Sequence, residues 1–501
     1  MKNLRVLVSG ILLGVAGCAA GPNYHVPQAD TPPEFAAKPA AAPEQIDLAT
    51  WWQSLKDPEL NSLVERAIRS NPTLEIALTR LQQARTYEAV ILSAALPEVD
   101  AGAAAGRGTG RDLTRGRVAT ALGSADNAFG LQHLNTIAGF DAIWELDLFG
   151  KFRREYEAVR ADTQAAADAR SAVLTSLIAD VVRGYLDLRG LQMRVGVLRQ
   201  ASDVLRESLR IVTIRYDRGI TNELDVALAT RELNTLLAQI GPVEAQIEAA
   251  QNTIAVLLGE YPEQMVQELS KPDLIPTMPA VAAPGVPVDL LKRRPDIEQA
   301  ERQLAATTAR IGVATADLFP QVSLVGAIGA QSQGWGTTPA IGKHIWSFGP
   351  GALWPVLDFG ALDAQVDIAH LEAHAALVNY RRTILNAVQE VDSAVTGYSA
   401  QQASLGQLSD ALVAAQRAVD VATERYNRGL TDYLNVVDAE RQYYTLQEQY
   451  VNAQVTQGEQ FVQLYKSLGG GWQNYQDIPA IRRPQPAIVA AFRRAIEKST
   501  P

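Results

Sequence analysis

The sequence predicts a duplicated, mainly helical fold with a smaller β portion that belongs in a membrane barrel. Three observations carry that reading. Arg215-Tyr216-Asp217-Arg218-Gly219-Ile220-Thr221 returns 210 positions later as Arg425-Tyr426-Asn427-Arg428-Gly429-Leu430-Thr431, and Trp144 with Phe149-Gly150 returns as Trp354 with Phe359-Gly360. Pro72 and Pro97 answer to Pro295 and Pro320 at an offset of 223, so the order of elements is repeated. Self-similarity at a fixed offset marks a repeated structural unit. Third, long stretches rich in Ala, Leu, Gln, Arg and Glu read as helix, and short ones between them change to a period of two.

The first element is a targeting segment. Met1-Lys2-Asn3-Leu4-Arg5 is basic, and Val6 to Val15 is apolar but too short to span a bilayer as a helix. Val15-Ala16-Gly17-Cys18 resembles a bacterial lipoprotein signal, which implies cleavage before Cys18 and acylation of its thiol and amine. Ala19 rather than Asp after the cysteine favours sorting to the outer membrane. Each buried methylene of an acyl chain contributes roughly 0.8 kcal/mol, so several chains hold a protein firmly on a leaflet. Cys18 is the sole cysteine, which excludes an intramolecular disulfide.

A proline-rich linker follows from Pro22 to Pro43. Trp51-Trp52 opens a short helix ending near Asn71-Pro72, where Asn71 caps the next helix and Pro72 fits its first turn. That helix runs to about Ala95. Phe152 to Ile214 reads as one very long helix; Gly219 suits the left-handed residue that ends it, and Thr221 or Asn222 caps the return to about Leu258. The second half repeats the plan over Pro295–Leu318, Asp363–Tyr426 and Asp432–Leu468. Such hairpins pack as coiled coils.

The strands lie between each proline and its tryptophan. Thr136, Ala138, Phe140, Ala142, Trp144 and Leu146 share one face, with Asp141 and Glu145 on the other. Val99, Ala101, Ala103 and Ala105 repeat the pattern, as do Val322, Leu324, Ile328 and Ala330, and Trp346, Phe348, Ala352, Trp354 and Val356. An apolar outside with a charged inside is a barrel strand; a soluble sheet with one buried face is the alternative. Four strands cannot close in lipid, because an open edge there is prohibitively costly. Three copies supply twelve.

The expected division is a signal over 1–17, a lipid-anchored linker over 18–50 and a first repeat over 51–258. In that repeat the strands lie within about 98–147 and a helical hairpin spans 150–258. An equatorial linker over 259–286 leads to a second repeat over 287–468, with strands within about 321–358 and a hairpin over 362–468. The tail is 469–501. The formal net charge of −10 excludes nucleic acid as a partner.

These motifs carry a resemblance. The lipobox with Gly21-Pro22-Asn23-Tyr24, then Leu290-Leu291-Lys292-Arg293-Arg294-Pro295-Asp296-Ile297, Phe319-Pro320, Arg425-Tyr426-Asn427-Arg428-Gly429 and Leu464-Tyr465-Lys466-Ser467-Leu468-Gly469-Gly470-Gly471-Trp472 together resemble the outer membrane factors of tripartite efflux systems. This is the TolC/OprM-like class, and more closely its NodT-type lipoproteins. The resemblance implies a homotrimer with a shared twelve-stranded outer-membrane barrel, a helical tunnel into the periplasm and an equatorial belt from 22–70, 259–292 and 466–501. It implies a periplasmic adaptor protein, an inner-membrane transporter and outer membrane lipid as partners, and no cofactor beyond the lipid on Cys18. The function implied is a passive exit duct for drugs or other small toxic solutes in a resistance-nodulation-division type pump.

The resemblance also implies a gate at the periplasmic helix tips. Asp225 and Asp438 lie at matching motif positions, with Asn435 where some relatives carry a second acid. In a trimer each acid becomes a ring that favours cations. Arg215, Arg218, Arg425, Arg428, Tyr216 and Tyr426 are the candidates for closing contacts; exposed pairs are individually worth about 0–1 kcal/mol, so several must act together. Thr431 departs from relatives with arginine there, so their lock does not transfer intact. No catalytic constellation is found: His370 and His374 have i,i+4 spacing without the acid of a zinc protease motif. Gly106, Gly108 and Gly110 precede no helix, so no phosphate cradle is expected. A type I secretion conduit and a poreless coiled-coil lipoprotein remain alternatives.

Overall fold

The computed structural model describes residues 19–28, 31–36, 46–107, 133–279, 287–335 and 343–476. Cys18, the signal, part of the linker, Gly108 and Gly110, and the tail beyond 476 lie outside the described residues. The helix expected from Trp51 onward is two elements. Leu48–Leu55 is a 3-10 segment capped by Asp47, and Lys56 then turns the chain through a left-handed conformation. Asp57 caps α1 (Pro58–Ser70) by accepting from the Glu59 and Leu60 amides, with Pro58 in the first turn. Asn71 caps α2 (Pro72–Ala94) by accepting from the Leu74 amide.

Strands β1 (Glu98–Arg107) and β2 (His133–Leu146) lead into α3 (Lys151–Asp217), which has 67 residues and a length of roughly 100 Å. Gly150 starts it and Gly219 follows it, both with positive φ. Asn222, rather than Thr221, caps α4 (Glu223–Leu258), which carries Pro242 within it. Short helices Pro262–Glu268 and Leu290–Arg293 punctuate the connection to α5 (Pro295–Ala316). Then come β3 (Gln321–Trp335), β4 (Lys343–Leu353), the 67-residue α6 (Ala361–Asn427) and α7 (Tyr433–Ser467). β4 stops before Trp354 and Val356, which the alternating pattern had included, because Pro355 brings no amide to a ladder. Gly106 lies within β1 rather than in a loop.

Everywhere the chain is a wall four elements wide. The sheet order is β1-β2-β3-β4, all antiparallel, so β1 and β4 are edges. Beneath it the helices stand in the order α2, α3, α5, α6, and lower down in the order α4, α3, α7, α6. Ala101, Phe140, Ile328 and Trp346 oppose one another across the four strands and form one row on the outer face. Phe140 is 58 % exposed and Trp346 77 %, with Phe348 and Val99 equally open. On the other face Asp100 opposes Asp141, though Ile143 shares that side. No helix among the described residues is long and apolar enough to cross a membrane.

The main core lies at mid-height. Trp51 stacks on Tyr465 with ring centroids 5.5 Å apart and meets Phe461 edge-on. Leu60, Leu63, Leu174, Tyr185, Met265, Leu269 and Leu290 complete this core, which joins α1 and both interrepeat helices to the long helices. Arg189, 1 % exposed, lies over the Tyr185 ring; its two terminal nitrogens donate to Glu59, Gln192 and the Lys271 carbonyl, while its Nε has no hydrogen-bond partner.

The N-terminal segment is clamped against the upper helices. Arg154, nearly buried, donates to the Ala20 carbonyl at 3.0 Å, the Gly21 carbonyl at 3.2 Å and Asn23 Oδ1 at 2.7 Å. Tyr24 donates to Glu301 on α5. The backbones meet so closely that a Cβ on Gly312 would stand 2.7 Å from the Ala20 carbonyl oxygen. Gly312→Val is therefore expected to expel residues 19–24 from this groove. Limited proteolysis of the folded protein should then cut near the N-terminus at least tenfold faster than in the parent chain, and unchanged protection would contradict the clamp.

Candidate functional site

The two hairpin tips meet through a small apolar cluster. Val212 of α3, Ala229 of α4, Tyr426 of α6, and Tyr433, Val436 and Val437 of α7 are buried together. Each tip turns in the same way: Gly219 and Gly429 take left-handed conformations, and the Ile220 and Leu430 amides donate back to the Arg215 and Arg425 carbonyls, both at 2.9 Å. The repeated heptapeptide is thus a helix stop, and its arginines are free to serve elsewhere.

Arg215 links the hairpins. Its guanidinium lies 4.4 Å from the centroid of the Tyr426 ring and reaches the Tyr426 carbonyl. Tyr426 is 6 % exposed and tilts against Tyr433, whose hydroxyl shares a 2.8 Å hydrogen bond with Ser208 of α3. A cation over a desolvated ring is worth about 0.5–2 kcal/mol. Burial pushes the Tyr426 and Tyr433 hydroxyls above the ordinary tyrosine range, so both rings stay neutral.

The other expected residues are placed differently. Asp225 accepts from Thr221 within its own turn, and Asn435 donates to Thr431 at 2.7 Å: the same two repeat positions, with the donor reversed. Asp438 stands one turn beyond Asn435 and pairs with Arg441 on its own helix. Arg428 pairs with Glu424, also within one helix. Tyr216, Arg218 and Arg425 are on the surface. His370 and His374 are exposed on α6, and no cluster of three metal-ligating side chains occurs among the described residues.

Glu440 escaped the sequence reading. It lies on α7 seven residues past Tyr433, 4 % exposed, with Oε2 lacking a hydrogen-bond partner. Burial, and then the charge of Glu232 on α4, push its carboxyl up to about 7. Its signal was visible in principle: position 440 continues the apolar spacing of Tyr433, Val436 and Val437. A carboxyl whose folded value is raised contributes full stability below its ordinary value of 4.5 and loses it as pH rises through about 7. Burial also raises Asp168 and Asp187 on α3, to about 7 and about 6, so Glu440→Gln should lessen rather than abolish the fall in Tm across that window; an unchanged pH profile would show that Glu440 takes no part in it.

Comparison with known proteins agrees with this architecture. The profile of the family described as outer membrane efflux protein matches residues 63–260 and 286–470. Nodulation protein T of Rhizobium leguminosarum bv. viciae is 28 % identical over 99 % of this chain and 98 % of its own. The pyoverdine export outer membrane protein OpmQ of Pseudomonas aeruginosa is 30 % identical over 95 % of this chain and 98 % of its own. Among solved structures, the outer-membrane channel OprN superposes with a TM-score of 0.80 at 35 % identity, covering 91 % of this chain and all of that one. The open-state MtrE outer membrane channel of Neisseria gonorrhoeae gives 0.76 at 25 % identity, covering 92 % and all of it. With its doubled helical wall, its lipid-matched sheet and a profile match across both repeats, this chain belongs to the outer membrane efflux protein family.

Proposed function

We propose that three copies of this chain form the exit duct of a tripartite pump that expels drugs or other small toxic solutes. The observation that carries this reading is the sheet: an apolar outer face, left exposed, bounded by two edges with no strand beside them among the described residues. In lipid such edges must be paired, and more copies of the same chain supply the partners. Three copies give twelve strands, an allowed even number. A soluble coiled-coil lipoprotein would have no use for Trp346, Phe348 and Phe140 on an open face. Relatives described as exporting pyoverdine and toluene support a small solute rather than a polypeptide.

Acylated Cys18 anchors each copy to the outer membrane, and the repeats and equatorial belt keep the boundaries set out above. The tips are the gate and the adaptor's docking surface. Ile220 and Leu224 on one tip, and Leu430 and Leu434 on the other, are each about 60 % exposed at corresponding repeat positions. An adaptor with apolar groups between its own helix ends fits them, and an inner-membrane transporter supplies the energy. Arg215 over Tyr426 holds the hairpins together within a copy, while Asp225, Asn435 and Asp438 line the approach, with Tyr216, Arg218, Arg425 and Arg428 at the rim.

Deletion of the gene should lower the inhibitory concentrations of several hydrophobic antibiotics or dyes at least fourfold, restored by the intact gene. An unchanged panel with a polypeptide retained inside the cells would instead favour secretion. In planar bilayers Arg215→Ala should raise the resting conductance several-fold over the parent channel; equal conductance would remove the Arg215–Tyr426 contact from the gate.

A further inference from the structure

The chain carries its own template for how one copy joins the next. β1 pairs with β2 so that Val99 faces Ala142, and β3 pairs with β4 so that Val322 faces Ala352. The second register is the first displaced by the repeat offsets, 223 for β1 to β3 and 210 for β2 to β4. Side chains obey the same relation. Trp144 Nε1 donates to the Ala95 carbonyl and Trp354 Nε1 to the Leu318 carbonyl, each at 3.1 Å. The strands of the two repeats therefore share one pairing register, although the turns that follow β2 and β4 differ, Phe359 taking a left-handed conformation that Phe149 does not.

Between the repeats lies one junction, β2 and α3 against β3 and α5. There Ala142 faces Gly326 and Trp144 faces Leu324. Phe149 stacks on Phe319 with centroids 4.6 Å apart, and Asp162 pairs with Arg310. Displacing every residue of this junction by its own offset brings Ala352 opposite Ala103, Trp354 opposite Ala101, Phe359 onto Leu96 and Glu372 to Tyr87. Of these, the strand pairs cannot meet within one chain, since β1 and β4 are at opposite edges of the sheet. They are also what the single chain leaves bare: Phe359 is 91 % exposed although its repeat counterpart Phe149 is stacked, and Tyr87 is 54 % exposed.

We infer that β4 of one copy pairs with β1 of the next so that Ala352 faces Ala103 and Phe359 covers Leu96, making the junction between copies a replica of the junction between repeats. The inference rests on the ring assembly proposed above and fixes its register. A slip of two residues would keep the apolar face outward but take Phe359 off Leu96, so the turn contact selects among registers that the strand pattern alone allows.

Cysteine pairs test it in the full-length, lipid-anchored protein in outer membranes. Antiparallel partners have Cα atoms about 4.5–5.5 Å apart, within disulfide reach, whereas same-face residues two positions off are about 7–8 Å apart. Ala103→Cys with Ala352→Cys should oxidise to a covalent trimer on denaturing gels. Ala101→Cys with Ala352→Cys should give at least tenfold less. Stronger linkage in the second pair, or none in the first while the native mass is trimeric, overturns the register. A monomeric native mass overturns the assembly reading and the register with it. As a second readout, Phe359→Ala should lower the temperature at which the trimer dissociates, without changing the monomer's helix content; an unshifted dissociation temperature overturns the turn contact.

Discussion

The unpaired backbone groups along the edges of β1 and β4 are the constraint on which the rest of the structure depends. Each unsatisfied amide or carbonyl in hydrocarbon costs several kcal/mol, so a four-stranded sheet cannot stand alone there. The same problem is handed down the molecule. The wall is four helices wide beneath the sheet and again below the equator, with α6 as one flank throughout and α2 or α4 as the other. Ile76, Tyr87 and Val90 on α2, and Ile368, Leu371, Val378 and Leu385 on α6, lie bare on those flanks. Closure is thus required at every height, by hydrogen bonds in the membrane and by apolar burial beneath it.

What holds one copy rigid enough to meet its neighbours is α3. It contacts α2, α5, α4 and α7, so the first repeat's long helix is also the seam to the second. At mid-height the Trp51–Phe461–Tyr465 cluster and the Arg189 network tie the connections to that spine. Arg189 is costly to bury, and its two terminal nitrogens offset that cost by reaching a carboxylate, an amide oxygen and a carbonyl. Near the membrane, the clamp on residues 19–24 places the N-terminal chain in the α3–α5 groove, across the seam between repeats.

The doubled helices and the four strands were legible because their periods run long: 67 residues without an interior proline for α3, and an apolar face at every second position from Thr136 to Leu146 in β2. Boundaries held where a cap residue announced them, as at Asn71-Pro72 and Gly219. They failed where the cue was weak: the break at Lys56 rests on a left-handed lysine, which no residue type announces. At the tips, sequence supplied the residues but not their partners. Arg215 and Arg425 are equivalent in the repeat, yet only Arg215 finds a tyrosine within the chain, because α3 is the seam helix and α6 a flank. Glu440 was missed since a carboxyl within an apolar spacing reads as a surface residue until its neighbours are known.

The departures from the repeat are where a gate can live. A wall whose two halves were identical would respond identically at both hairpins, and a constriction needs one hairpin to move relative to the other. The halves share one strand register at the membrane, where the backbone must close. They diverge at the tips: Thr221 donates to Asp225 in one and Asn435 to Thr431 in the other, and the position on α4 that corresponds to the buried Glu440 of α7 is Thr230, an exposed hydroxyl that donates to the Val226 carbonyl. Near the tips Glu440 places a buried carboxyl in the second hairpin, beside a cation–ring contact that spans both. A ligand shifts the balance between two arrangements of the hairpins only by its differential affinity for them, so the unlike chemistry of the two tips is what would let a partner on the proposed docking surface move one hairpin against the other.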